Sequence, residues 1–237
     1  MDLKHLKAFE NFKEVDNPHG EDEFNFGKLS KDDIDKVKLF ISDLKVKCKD
    51  NQIKLRIENK TGIPYTENEG GMMVNGFFDG DNRTLACAVG KDIEYWLTIL
   101  IHESSHMDQF LESDPTWINN IGLEQTDMWL SGDDDVDMEK IEEEIRTGID
   151  VEVDCEKRSV EKIKKWNLDT IVNVEEYIQK SNAYILFYRW MHKTRKWYEI
   201  GKEPYNIKEI VGQMPTTFNV DYTKLTPKLE RVFKKYL

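Results

Sequence analysis

Only three of the 237 residues are cysteine, Cys48, Cys87 and Cys155, and they are widely spaced. Without a CxxC pair, neither a disulfide framework nor a cysteine-rich zinc site is expected. Long apolar runs are also missing. No segment approaches the ~18–20 apolar residues of a membrane span. The opening MDLKHLKAFENFKEVDN has no apolar stretch after its first lysines, unlike a secretory signal. These absences lead us to expect a protein of the reducing cytoplasm with no membrane partner. Positive charge is short as well: 34 Lys and Arg stand against 46 Asp and Glu, a formal net charge of −12. That balance argues against nucleic acid, which needs a basic surface, and against anionic lipid. Internal repeats and low-complexity linkers are absent too. The length suits one sizeable core, so a single domain over residues 1–237 is expected. Residues 1–28, polar and poor in periodic apolar positions, read as a loosely docked N-terminal arm.

What is present is a pattern of helices around a small β region. Ser30 followed three residues later by Asp33 is a helix-start signature, and Ile34, Val37, Phe40, Ile41 and Leu44 then recur at helical spacing. Ile53, Leu55 and Ile57 alternate with polar residues, as in a half-buried strand. The segments 72–78 and 84–89 flank Asp79-Gly80-Asp81-Asn82, a turn-forming run that predicts an antiparallel hairpin. From Asp92 the pattern becomes helical, and Tyr95 to Ile101 is almost wholly apolar, so that helix should be buried on most sides. A loop containing Trp117 and Trp129 is expected next. Helices follow over about 138–166 and 172–198, then a mixed tail interrupted by Pro215 and Pro227. The fold class is therefore α+β, mainly helical, with a small antiparallel sheet or hairpin before the second helix.

That second helix contains His102-Glu103-Ser104-Ser105-His106, the pattern HExxH. Positions i and i+4 share one helix face roughly 6 Å apart, so both imidazoles can reach one cation. Zinc accepts histidine nitrogens, and a catalytic zinc keeps a position open for water whose pKa falls toward ~7. Glu103, next to the first ligand, is placed to take that water's proton and return it to a leaving amine. With 5 histidines in 237 residues, chance would supply this motif at a frequency of only ~0.01. One zinc per chain is expected.

Two histidines need a third protein ligand. His5, His19 and His192 form no such pattern near the motif, and HExxHxxGxxH is absent because Gln109 and Glu112 stand at its glycine and histidine positions. In the long helix after residue 138, Ile145, Ile149, Val160 and Ile163 mark an apolar stripe that also holds Glu152 and Glu156. A carboxylate on a buried face is costly unless paired or bound to metal. Asp150 and Asp154 point about 200° away from Glu152. The residues thus leave Glu152 and Glu156 as the two candidates.

Together these segments resemble the zincin metallopeptidases of the gluzincin type, in which HExxH is completed by a glutamate on a later helix. Glu152-Val153-Asp154-Cys155-Glu156 is similar to that family's ligand segment. The resemblance implies Glu152 as the ligand and Glu156 as the acid that orients a ligand histidine. Asn75-Gly76-Phe77-Phe78 resembles the edge strand that pairs with an extended substrate. The resemblance spans roughly residues 72–166 and implies a zincin-like fold. It departs from the family pattern at Cys155, where alanine is usual, and at Glu156, where aspartate is usual.

Tyr184, Tyr188 and His192 follow at four-residue steps on one helix face. They are candidates for a hydrogen bond to the oxyanion formed during hydrolysis, or else part of an aromatic core stripe. Asp133 to Asp137 lacks the order of a calcium loop and reads as a solvated acidic turn. The expected activity is hydrolysis of a peptide or protein substrate by a zinc-bound water with Glu103 as base. A silent zincin-like binding protein and a zinc hydrolase of a non-peptide amide or ester are the alternatives. Oligomeric state is not encoded in any motif.

Overall fold

The computed structural model describes residues 24, 26–65, 73–199 and 201–237. The expected N-terminal arm therefore lies almost wholly outside the described residues, as do His5 and His19. The fold is α+β and mainly helical, as the periodicity predicts. The chain divides into two compact units. One comprises the described residues up to Glu112 together with Glu161–Val172; the other comprises Ser113–Val160 and Asn173–Leu237.

The first unit opens with α1 (Lys31–Asp50), whose start follows the sequence signature. The Ser30 hydroxyl oxygen accepts the amide of Asp33, and the hydroxyl donates back to the Asp33 carboxylate. Val37, Phe40, Ile41 and Leu44 are its buried face. Three strands form one sheet in the order β1-β5-β4, from β1 (Lys54–Glu58), β4 (Gly76–Asp79) and β5 (Thr84–Ala88). The expected hairpin is the antiparallel pair β4–β5, closed by Asp79, whose carboxylate accepts the Asn82 amide. The sheet as a whole is mixed, not purely antiparallel, because β1 joins β5 in parallel register. Alternation along β1 predicts a strand but carries no information on its direction. A two-stranded pair, β2 (Ile63–Pro64) with β3 (Met73–Val74), accompanies it. Helix α2 (Ile93–Leu111) follows the hairpin, with Trp96, Leu97, Leu100, Ile101 and Met107 fully buried, so it is enclosed much as its apolar run predicts.

In the second unit, two short helices stand where a loop is expected around Trp117 and Trp129: α3 (Pro115–Ile118) and α4 (Glu124–Leu130). Asp114 caps the first. The second has no side-chain cap of its own. Its opening amides, Gln125 and Thr126, donate instead to the wholly buried carboxylate of Glu144, 18 to 19 residues further on. Helix α5 (Met138–Lys165) buries the predicted stripe: Ile145, Ile149, Glu152, Glu156 and Val160, with Ile163 in the turn that belongs to the first unit. Asp150 is exposed and Asp154 is half-buried. Helix α6 (Val174–Thr194) contributes Ile185, Leu186, Phe187 and Met191 to a core shared with Ile141, Ile145 and Ile149. The tail adds α7 (Lys208–Val211) and α8 (Pro227–Tyr236). Pro227, expected to interrupt the tail, begins α8. A proline at the first helical position gives up an amide that has no partner there anyway, and Thr226 caps the turn. The acidic turn at Asp133–Asp135 is exposed, and Arg195 docks onto it through the Asp134 carboxylate and the Asp133 carbonyl. The three cysteines are buried, and none of them forms a disulfide with another described residue. No described helix is long and apolar enough to cross a membrane.

Candidate metal centre

The HExxH turn sits in the second half of α2. His102 and Glu103 are half-buried and His106 is almost wholly buried. The two imidazoles meet edge to face with ring centroids 4.7 Å apart. One ring nitrogen of each lies within 4.8 Å of the other, close enough for both to turn onto one cation. Burial, and after it the neighbouring His102, holds the His106 imidazole down at about 3. The ring is therefore neutral near pH 7, the state a metal ligand requires. Its Nδ1 lies 2.8 Å from the side-chain oxygen of Gln109, a residue with no exposure at all.

The Glu103 side chain reaches the sheet. Its Oε2 accepts the backbone amide of Phe78 at 3.0 Å. The register explains why that amide is available to it. Asn75 accepts from Ala88 and so faces β5; in an antiparallel ladder the facing direction alternates, which turns Gly76 and Phe78 outward. Strand β4 is an edge of its sheet, although the side chains of Phe77 and Phe78 are buried. Gly76 has a steric reason. A Cβ there would stand 2.6 Å from Ile99 Cγ2, 3.0 Å from the Ala86 carbonyl oxygen and 3.3 Å from Glu103 Cγ. The absent side chain lets helix and strand approach until carboxylate and amide meet. Asn75 is held by Lys91, whose ammonium donates to its side-chain oxygen at 2.8 Å.

Behind the motif, the Asp108 carboxylate receives Lys47 at 2.7 Å and Lys162 at 2.9 Å, and Lys162 also donates to the Ser104 hydroxyl at 2.8 Å. These contacts tie α2 to Lys47 of α1 and to Lys162 in the last turn of α5.

The second unit carries the acids. Glu152 and Glu156 are both buried, with one carboxylate oxygen of each within 4.8 Å of the other. Glu156 accepts a short hydrogen bond from the Tyr177 hydroxyl. Tyr184 and Tyr188, one turn apart on α6, bring their hydroxyls to 3.1 Å. Burial raises both phenols well above their ordinary value, and the Glu152 carboxylate adds to the rise. Both therefore stay protonated, and one remains a donor after the other has donated to it. His192, one turn beyond Tyr188, has partners of its own. Its Nδ1 is 3.4 Å from Glu142, which also receives Arg189, and its ring lies 5.9 Å from that of Trp129.

Two residues with roles here were not marked by the sequence pattern. Gln109 falls one helical turn beyond His106, a spacing that sets the two side by side but does not by itself mark a role. Tyr65 packs its ring on Phe77 at 4.8 Å, and burial, then Asp79 and Glu103, pushes its phenol up to about 12; nothing local in Pro64-Tyr65 signals this. No family model, curated protein or solved structure matches the chain.

Proposed function

We propose that the chain is a zinc-dependent metallopeptidase. The observation that carries the reading is the arrangement on α2. Two histidines converge within cation reach, one is held neutral by burial, and the intervening glutamate reaches the outward edge of β4. Nitrogen and carboxylate donors of this kind suit zinc. In this reading His102 and His106 hold the metal, with Glu152 as the third ligand on the strength of its resemblance to the gluzincin segment. Bound zinc would supply a Lewis acid for the scissile carbonyl and for a water.

The protein's own groups do the rest. Glu103 takes a proton as the water oxygen bonds to the carbonyl carbon. It returns that proton to the amide nitrogen as the carbon–nitrogen bond breaks. Its hydrogen bond to Phe78 sets the carboxylate at the strand edge, and an extended peptide adding as a further strand along Asn75 to Phe78 would displace Glu103 from that amide. Tyr184 or Tyr188, kept protonated by burial, supplies a hydrogen bond to the oxyanion.

The test pairs metal analysis with a peptide-library cleavage assay. The parent should hold about one zinc, as a single catalytic site requires. His102→Ala and His106→Ala, folded by circular dichroism, should lose it. Glu103→Gln should keep zinc and fold while turnover drops ~10²–10⁴-fold. Equal zinc in the histidine variants would overturn the metal assignment, and undiminished cleavage by Glu103→Gln would overturn the mechanism.

A further inference from the structure

We infer that Gln109 is a positioning residue that fixes the tautomer of His106 and thereby selects Nε2 as its ligand atom. The inference rests on the metal reading above and adds to it a residue outside HExxH. Gln109 Oε1 is 2.8 Å from His106 Nδ1, and both side chains are buried. An amide oxygen only accepts hydrogen bonds, so the partnership places the imidazole hydrogen on Nδ1 and leaves the lone pair on Nε2. A ligand histidine generally donates its other ring N–H to a fixed acceptor that sets tautomer and ring orientation. The resemblance assigns an orienting part to Glu156; the hydrogen bond that His106 makes within its own helix is to Gln109. The spacing suits it, because residues three apart on a helix are neighbours. Orientation thus comes from the same rigid element as the ligand. A neutral amide is also a weaker acceptor than a carboxylate, so His106 is oriented without placing a further negative charge beside the metal.

The test has two arms. In the first, the ring nitrogens of His106 are observed by nitrogen-15 NMR in the metal-free parent near pH 7, with assignment by His106→Gln. Hydrogen on Nδ1 and a lone pair on Nε2 is the expected pattern. The reverse pattern would mean that the amide donates to the ring, and would overturn the inference. In the second arm, zinc affinity is measured by chelator competition for Gln109→Leu and Gln109→Glu. Loss of an orienting partner typically weakens metal binding ~10–100-fold, so the leucine variant should fall in that range. The glutamate variant keeps an acceptor and should restore both affinity and tautomer. Leucine binding as tightly as the parent, or glutamate no better than leucine, would refute the positioning role. If Gln109→Leu does not fold, the parent's tautomer and the glutamate variant still decide the matter. A parent that binds no zinc would remove the metal reading, while the tautomer measurement would still judge Gln109 on its own.

Discussion

Replacing Gly76 by alanine would add one methyl group at a close approach between the HExxH helix and the sheet. The new carbon would lie 2.6 Å from Ile99 Cγ2 and 3.0 Å from the Ala86 carbonyl oxygen. Carbon atoms pack at about 3.5–4.0 Å, so helix and strand must part by roughly 1 Å or Ile99 must leave its place. Overpacking of this kind costs about 1–3 kcal/mol. Moving the strand away from the helix would also stretch the 3.0 Å bond between the Phe78 amide and Glu103 beyond the ~3.2 Å usual for such bonds. Urea unfolding measures the first effect, and cleavage rate at constant zinc content measures the second. Gly76→Ala should lose stability in that range, and turnover should fall more than zinc binding does. Ile99→Ala removes the nearest obstructing atom, so the double variant should be more stable than the sum of the two changes predicts, by at least ~0.5 kcal/mol. Gly76→Ala within a few tenths of a kcal/mol of the parent, or strict additivity with Ile99→Ala, would refute the steric account.

Glu152→Ala should lose zinc in mild chelator, whereas Glu156→Ala should hold it ~10–100-fold more weakly. The reverse order of affinities would exchange the two assignments, and unchanged retention in both would send the third ligand elsewhere. The metal-free protein should lose stability on acidification because His106 is held at about 3 against ~6.5 in an unfolded chain. Its pKa is depressed on folding, so the contribution is complete above 6.5 and declines toward pH 3 by about 1.4 kcal/mol per unit, as the unfolded state binds the proton first. Unfolding curves for the zinc-free parent and for His106→Gln should therefore differ in slope across that window, and equal slopes would contradict the burial argument.

Much of the local structure is legible in the residues themselves. Ser30 and Asp33 mark the start of α1, the run Asp79-Gly80-Asp81-Asn82 closes the β4–β5 hairpin, and the periodicity of α5 places Glu152 and Glu156 on a buried face. These features depend on neighbours within a few residues. What escapes the sequence depends on partners far along the chain. The direction of β1 is set by its pairing with β5, some 30 positions later. The short helix α4 takes its cap from Glu144. His192 has the same four-residue spacing as the tyrosines, yet Glu142 and Trp129 claim it. Pro227 shows a different limit: the same residue interrupts or begins a helix according to position, and only the Thr226 cap decides which. Within the site, HExxH could be read directly, whereas Gln109 could not, because a glutamine one turn past a histidine is ordinary until both are seen to be buried together.

The capping of α4 by Glu144 bears on the order in which the second unit assembles. A helix of seven residues is far below the ~12–15 needed for marginal stability alone, and its first amides are satisfied only once α5 is present to offer the carboxylate. Until then, Glu144 itself would be an acid awaiting burial with no donors around it. Helix α4 is thus a dependent element that forms when α5 docks and is released when it departs. Its amides should exchange with solvent in the same opening event as the first turns of α5, so that hydrogen exchange would report the two segments as one cooperative piece.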